Sequence, residues 1–185
     1  MDTLLFPTPA AAFDEPIEII DGCHQRIRRQ CALIMRISEH VALKGADAEA
    51  AEAATRSIRY FEDVVGNHHR DEEEDLFPLL FYTVPSDDLN ALRALLFRLR
   101  SEHRKLELQW ADIRERLDAI AGGNDIGLAR DLAKGFADAY DAHIAFEELH
   151  LLPLARRVLD EQHRARLGAR MARRRKPGSD HLVRF

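Results

Sequence analysis

Two stretches of this chain repeat one arrangement of metal-binding side chains. His68-His-Arg-Asp-Glu72-Glu-Glu-Asp-Leu-Phe-Pro78 and His143-Ile-Ala-Phe-Glu147-Glu-Leu-His-Leu-Leu-Pro153 both read HxxxEE, then an apolar pair, then proline. Phe61 and Phe136 each stand seven residues before the leading histidine. Residues four apart on an α-helix project from one face a turn apart, so each copy sets an imidazole beside a carboxylate. Borderline metals such as iron and zinc take that ligand set. Two copies point to a paired metal site of near two-fold symmetry.

The elements that must carry these residues are helices. Apolar residues recur at helical spacing along most of the chain, and no stretch alternates like a strand. The first helix is expected over 14–44, with Asp14 as N-cap, Pro16 in the first turn and Gly45 at the end. Its inner stripe holds Ile17, Ile20, His24, Ile27, Cys31 and Ile34. A second helix is expected over 47–82, with Phe61, His68, Glu72 and Leu76 inward. A third, capped by Ser86, carries Leu96, Leu99, His103, Leu106 and Trp110 as far as Gly122. A fourth, over 125–159, carries Phe136, His143 and Glu147, and a shorter basic helix follows over 161–173. Four long helices with short connections pack best as an up-down-up-down bundle. Pro78 and Pro153 should kink the second and fourth helices at equivalent points, which suggests an internal duplication.

Heights along the bundle bring the ligands together. Counted from the turn at Gly45, His24 lies 21 residues before and His68 23 after. Similar counts from the next two turns place His103 and His143 at the same level, since a helix rises 1.5 Å per residue. Four histidines, one per helix, thus fall in one core layer, with Glu72 and Glu147 one turn along. A lone histidine on an apolar face is usually a satisfied core residue. Four imidazoles and two carboxylates need more compensation, because an unpaired buried charge costs several kcal/mol. A bound cation supplies it.

Composition narrows the class. The 185 residues are 46% hydrophobic and 32% charged, with net charge −5, which fits one helical domain with a sizeable core. No apolar run approaches the ~20 residues that span a bilayer, and residues 1–12 lack the pattern of a secretory signal. A cytoplasmic setting is expected. Cys23 and Cys31, about 12 Å apart along one helix, are too distant for a disulfide. From Arg156 onward there are 10 basic and 3 acidic residues, against 17 basic and 29 acidic before it. Such a tail reads as a solvated helix end, or as a surface for an acidic partner. No aromatic residue interrupts Arg173-Arg-Arg-Lys176, so nucleic acid is not expected. The chain divides into an arm over 1–13, the bundle over 14–160 and a basic segment over 161–185.

In its order of His24, His68-xxx-Glu72, His103 and His143-xxx-Glu147 on four helices, the chain resembles the hemerythrin-like (HHE cation-binding) domain over about residues 14–160. The resemblance implies a non-haem di-iron centre in the bundle core. Its metal ligands would be His24, His68, Glu72, His103, His143 and Glu147, with both glutamates and an oxo or hydroxo group bridging two iron ions. Oxygen-carrying relatives have a second histidine on the third helix, four residues after the first. Here that position is Glu107, so the expected centre is more open or richer in carboxylate, and reversible oxygen transport is not implied.

Other polar residues take lesser parts. His69-xxx-Glu73 offers the same spacing as His68-xxx-Glu72, but the alignment of Pro78 with Pro153 favours the latter and leaves His69 outside the ligand shell or at the surface. Glu147 and His150 form a single ExxH, whereas a ferritin-like site needs two. His40, His163 and His181 have no partners in register and read as solvent-facing. Phe61, Trp110, Phe136, Tyr140 and Phe146 read as core, as does Cys31. The expected function is binding or sensing of oxygen, nitric oxide or peroxide, or holding iron. The alternatives are a di-iron enzyme acting on those molecules or repairing iron centres, and a structural zinc bundle.

Overall fold

The computed structural model describes residues 13–124 and 127–175, and the described residues are helical with no strand. Helix α1 spans Pro16–Lys44. Helix α2 is a continuous rod over 48–83 in five pieces: α-helical Ala48–Tyr60, π-helical Phe61–Val65, α-helical Gly66–Arg70, π-helical Asp71–Leu76 and α-helical Phe77–Thr83. Helix α3 spans Leu89–Ala121. Helix α4, over 130–158, joins Arg130–Phe146, a π turn at Glu147–Leu151, and Leu152–Val158. Helix α5 spans Glu161–Arg174. The four long helices pack in a ring, α1 against α2 and α4, α3 against α2 and α4.

The helix ends follow local chemistry, with three departures. Asp47 caps α2 by accepting from the Ala50 N–H. Helix α1 starts with Glu15 at its cap and no side-chain bond, so Asp14 does not serve. Ser86 opens a 3₁₀ turn, Ser86–Asp88, and its hydroxyl bonds Asp87 instead of capping α3. Helix α4 begins at Arg130, five residues later than expected, and Asp125 lies outside the described residues.

The matched irregularities of α2 and α4 are π turns. Phe77 N–H donates to the Glu72 carbonyl, and Leu152 N–H to the Glu147 carbonyl, both across five residues. Each closure ends just before a proline, Pro78 or Pro153. Proline has no N–H to give and crowds the carbonyl four residues back, so widening the preceding turn accommodates the ring. A π turn also takes one more residue per turn than an α turn, which lets sequence neighbours share the inward face.

The core is split by a polar layer. One apolar cluster, including Ile27, Ile34, Phe61, Leu106, Ile113, Phe136 and Tyr140, fills the end toward the α1–α2 turn. Another, including Ile20, Leu76, Phe77, Leu96, Leu99 and Leu151, fills the opposite end. Between them lie His24, His68, Glu72, His103, His143 and Glu147, none more than 1% exposed. Cys23 and Cys31 are buried free thiols.

The basic C-terminal segment is docked over its described residues. Arg170 bonds Asp75 at 2.9 Å, Arg174 reaches Asp75 at 2.8 Å and Glu74 at 2.9 Å, and Arg174 and Arg175 both pair with Asp71. Much of its positive charge therefore meets acidic residues of α2, in place of the solvated helix end expected. On another side of α5, Gly168 lets the helix pack against Phe13, because a Cβ there would lie 1.9 Å from the Phe13 carbonyl oxygen. Among the described residues no helix is long and apolar enough to cross a membrane.

Candidate metal centre

Four helices deliver seven buried groups to one place. His24 comes from α1, His68, His69 and Glu72 from α2, His103 from α3, and His143 and Glu147 from α4. Two sets of donor atoms lie within 4.8 Å of one another: His24, His68, Glu72 and Glu147 in one, His69, His103 and His143 in the other. All six residues expected from the sequence are present. The seventh, His69, was expected outside the shell, yet it is only 7% exposed and its ring stacks on His103 at 4.1 Å. Both histidines lie in the α-helical piece Gly66–Arg70, where neighbours 100° apart can share the inward face, with a π turn on either side.

Both carboxylates of the first set also reach histidines of the second. Glu72 Oε1 is 3.5 Å from His68 Nε2, while its Oε2 is 3.3 Å from His103 Nε2. Glu147 Oε2 is 3.1 Å from His24 Nε2, and its Oε1 is 3.3 Å from His143 Nε2. Each glutamate thus turns one oxygen to a histidine of the first set and the other to a histidine of the second. Among the described residues none of these atoms has a hydrogen-bond partner, and the same holds for His69 Nε2. Buried polar atoms are nearly always paired. Lone pairs that crowd together without aligning on one another are what a shared cation satisfies, so the residues fit a metal.

Outside this shell, carboxylates hold the imidazoles. Glu73 faces His103 Nδ1 at 2.6 Å, Glu102 faces His143 Nδ1 at 2.9 Å, and Glu148 lies 3.5 Å from His24 Nδ1. A neutral imidazole donates from Nδ1 to such a partner and turns the Nε2 lone pair inward. Arginines hold the carboxylates in turn: Arg28 grips both oxygens of Glu148, and Arg98 bonds Glu102 at 2.7 Å. The glutamate doublets Glu72-Glu73 and Glu147-Glu148 carried a signal for this arrangement, with the first member facing in and the second braced against a histidine.

Charge among these groups is sharply divided. Burial, reinforced by Glu147, pushes the Glu72 carboxyl up to about 8. Burial alone would lower His103, but Glu147, Glu72 and Glu73 lift it to about 11. His68 and His69 are pushed well below the usual histidine value by burial and by neighbouring imidazoles. The Arg28 contact draws Glu148 down, and His103 does the same to Glu73.

The remaining expectations fare unevenly. Glu107 is exposed and belongs to neither donor set, so it does not make the centre richer in carboxylate. The fifth histidine of the cluster is His69, which comes from α2 and not from α3. His150 is exposed and packs on Phe146. His40 is partly buried and bonded to Asp47 at 2.9 Å, and His163 sits 2.8 Å from Asp160, so neither simply faces solvent. His181 lies outside the described residues. Phe61, Phe136 and Tyr140 are buried beneath the centre, with Trp110 stacked on Phe61 at 4.4 Å.

A helical protein with a buried, doubled His/Glu cluster of this kind is a cation-binding bundle. The sequence profile of the hemerythrin HHE cation-binding domain matches residues 15–155, and the chain belongs to that family. It is also similar to an uncharacterized protein of Haemophilus influenzae, 26% identical over 172 residues, which cover 93% of this chain and 96% of that protein.

Proposed function

We propose that the protein holds two iron ions and uses them to bind or sense a small molecule such as oxygen, nitric oxide or peroxide. The observation that carries this reading is the orientation of Glu72 and Glu147, each with one unpartnered oxygen toward either set of histidines. On this reading His24 and His68 hold one ion, His69, His103 and His143 hold the other, and the two glutamates bridge. The four long helices then form the family's up-down-up-down bundle, with α5 added to it. Iron so held would supply a Lewis-acidic, redox-active centre that takes a small exogenous ligand.

The chain's own residues set the terms. Two histidines and two bridging oxygens give one ion four protein donors, and three histidines with two oxygens give the other five. For six-coordinate iron both numbers would leave room for a ligand; the five donors of the second position exceed the four of a closed structural zinc site, whereas the four of the first would also suit zinc. The outer carboxylates Glu73, Glu102 and Glu148 fix ring orientation and keep Nε2 available. The apolar clusters on either side exclude water and keep the local dielectric low.

Metal analysis with an absorption spectrum of aerobically purified protein tests the reading. Two irons per chain with near-ultraviolet charge-transfer absorption are expected. Redox-silent zinc as the sole metal would overturn it.

A further inference from the structure

Helix α2 has a glycine where its backbone does not require one. Gly66 has φ −57° and ψ −41°, ordinary helical values open to any residue. A Cβ there would meet nothing within 4 Å. Glycine weakens a helix interior relative to alanine, so leaving out the side chain serves neither backbone strain nor crowding. What adjoins Gly66 is a cavity of about 410 Å³ between α2 and α3, whose lining also includes Phe61, His69, Glu107, Trp110 and Tyr140.

The cavity leads to the centre. His69, 7% exposed, and Tyr140, 2% exposed, form its inner surface, and the Phe61–Trp110 stack forms an aromatic side. At the mouth, Arg70 pairs with Glu74 at 3.0 Å and Glu73 is bonded to His103. Arg104 and Glu107 add one charge of each sign. The lining thus sets two arginines against three glutamates, one of them held by His103, so it has no strong field of one sign to draw in ions, and a bare charge between the aromatic walls would be costly to bury. A water molecule's share of liquid is roughly 30 Å³, so a molecule of two to four atoms has ample room.

We propose that this cavity is the entrance through which a small uncharged molecule reaches the metal pair at its His69 edge, and that Gly66 holds it open. The inference rests on the reading of the site as a metal centre accessible to small molecules. Its test is a plug, Gly66→Leu, which the open space around Gly66 accommodates. Gly135→Leu is the control: Gly135 is also an exposed helical glycine with nothing within 4 Å of its Cβ, but it does not line the cavity.

Two readouts are needed. Trp110 is the only tryptophan, so acrylamide quenching of its fluorescence in metal-free protein measures access without any metal. Stopped-flow association of nitric oxide with ferrous-loaded protein measures passage to the centre. Gly66→Leu is expected to lower quenching and to slow association by about tenfold or more, because entry then waits on a rearrangement. Gly135→Leu should change neither. Unchanged association in Gly66→Leu overturns the entrance, whether or not quenching falls. A wild-type protein that takes up no metal overturns the functional reading itself, which metal analysis reveals before either readout is made.

Discussion

Metal-free protein at pH 8 should still carry a charged histidine in its core. The five inward histidines differ in what faces them. His103 looks at Glu147, Glu72 and Glu73, which overcome the cost of burial and lift it to about 11. His68 and His69 are held well below the usual value by burial and neighbouring rings, and His143 is also lowered. Glu72, with burial and Glu147 acting together, titrates near 8. At pH 8 His103 therefore keeps its proton and Glu72 about half of one. His24 is also raised, its burial outweighed by Glu147, Glu72 and Glu148. By contrast, five histidines and two glutamates at ordinary values would together hold about 0.2 of a proton. Nitrogen-15 spectra of histidine-labelled, metal-free protein measure this directly. An imidazolium signal that persists at pH 8 and is lost on His103→Gln is the expected result; five neutral rings would refute the electrostatic reasoning. The consequences for stability have definite signs. The raised His103 stabilises the metal-free fold below about 6.5, and that contribution is lost as pH climbs toward 11. Protonated Glu72 acts in the same sense, its contribution lost between about 4.5 and 8. His68, His69 and His143 act oppositely, their contribution lost as pH falls below about 6.5. Metal uptake must expel the held protons, so apparent affinity should rise with pH through this range.

Further tests follow from individual contacts. Glu73→Gln and Glu102→Gln, which weaken the brace on His103 and His143, should each lower metal affinity by about 10–100-fold while leaving helical content unchanged, as competition with a chelator would show. Arg174→Ala removes one partner from the buried Asp71 and Asp75, whose other partners are Arg175 and Arg170. A loss of about 1–3 kcal/mol in denaturant unfolding is expected, and no loss would mean α5 is not held by this cluster. Gly168→Ala should cost a similar ~1–3 kcal/mol, because its Cβ would overlap the Phe13 carbonyl. A neutral effect there would displace the N-terminal contact from the place described.

Much of this architecture was legible because helical periodicity and metal-ligand spacing obey the same geometry. The stripe carrying Ile20, His24 and Ile27 is both apolar and ligand-bearing, so one count placed the helix, its inward face and the height of His24. His69 escaped that count for a physical reason. The alignment of Pro78 with Pro153 singled out His68, but neighbours 100° apart can share one inward face, the more so between the widened turns at Phe61–Val65 and Asp71–Leu76. The prolines signalled an irregularity at the right positions but not its form. Glu107 misled because a family position was equated with a place in the shell, whereas the fifth histidine enters from another helix. The partners of Arg170, Arg174 and Arg175 lie about a hundred residues earlier in α2, and no local pattern reveals a contact of that range.

The central claim is that Glu72 and Glu147 bridge two ions held by five histidines. Crystals of iron-loaded protein measured on either side of the iron absorption edge test it most directly. The account predicts two anomalous peaks, one beside His24 and His68 and one beside His69, His103 and His143, with both glutamates between them. A single peak, or two peaks with His69 or either glutamate turned away, would contradict it.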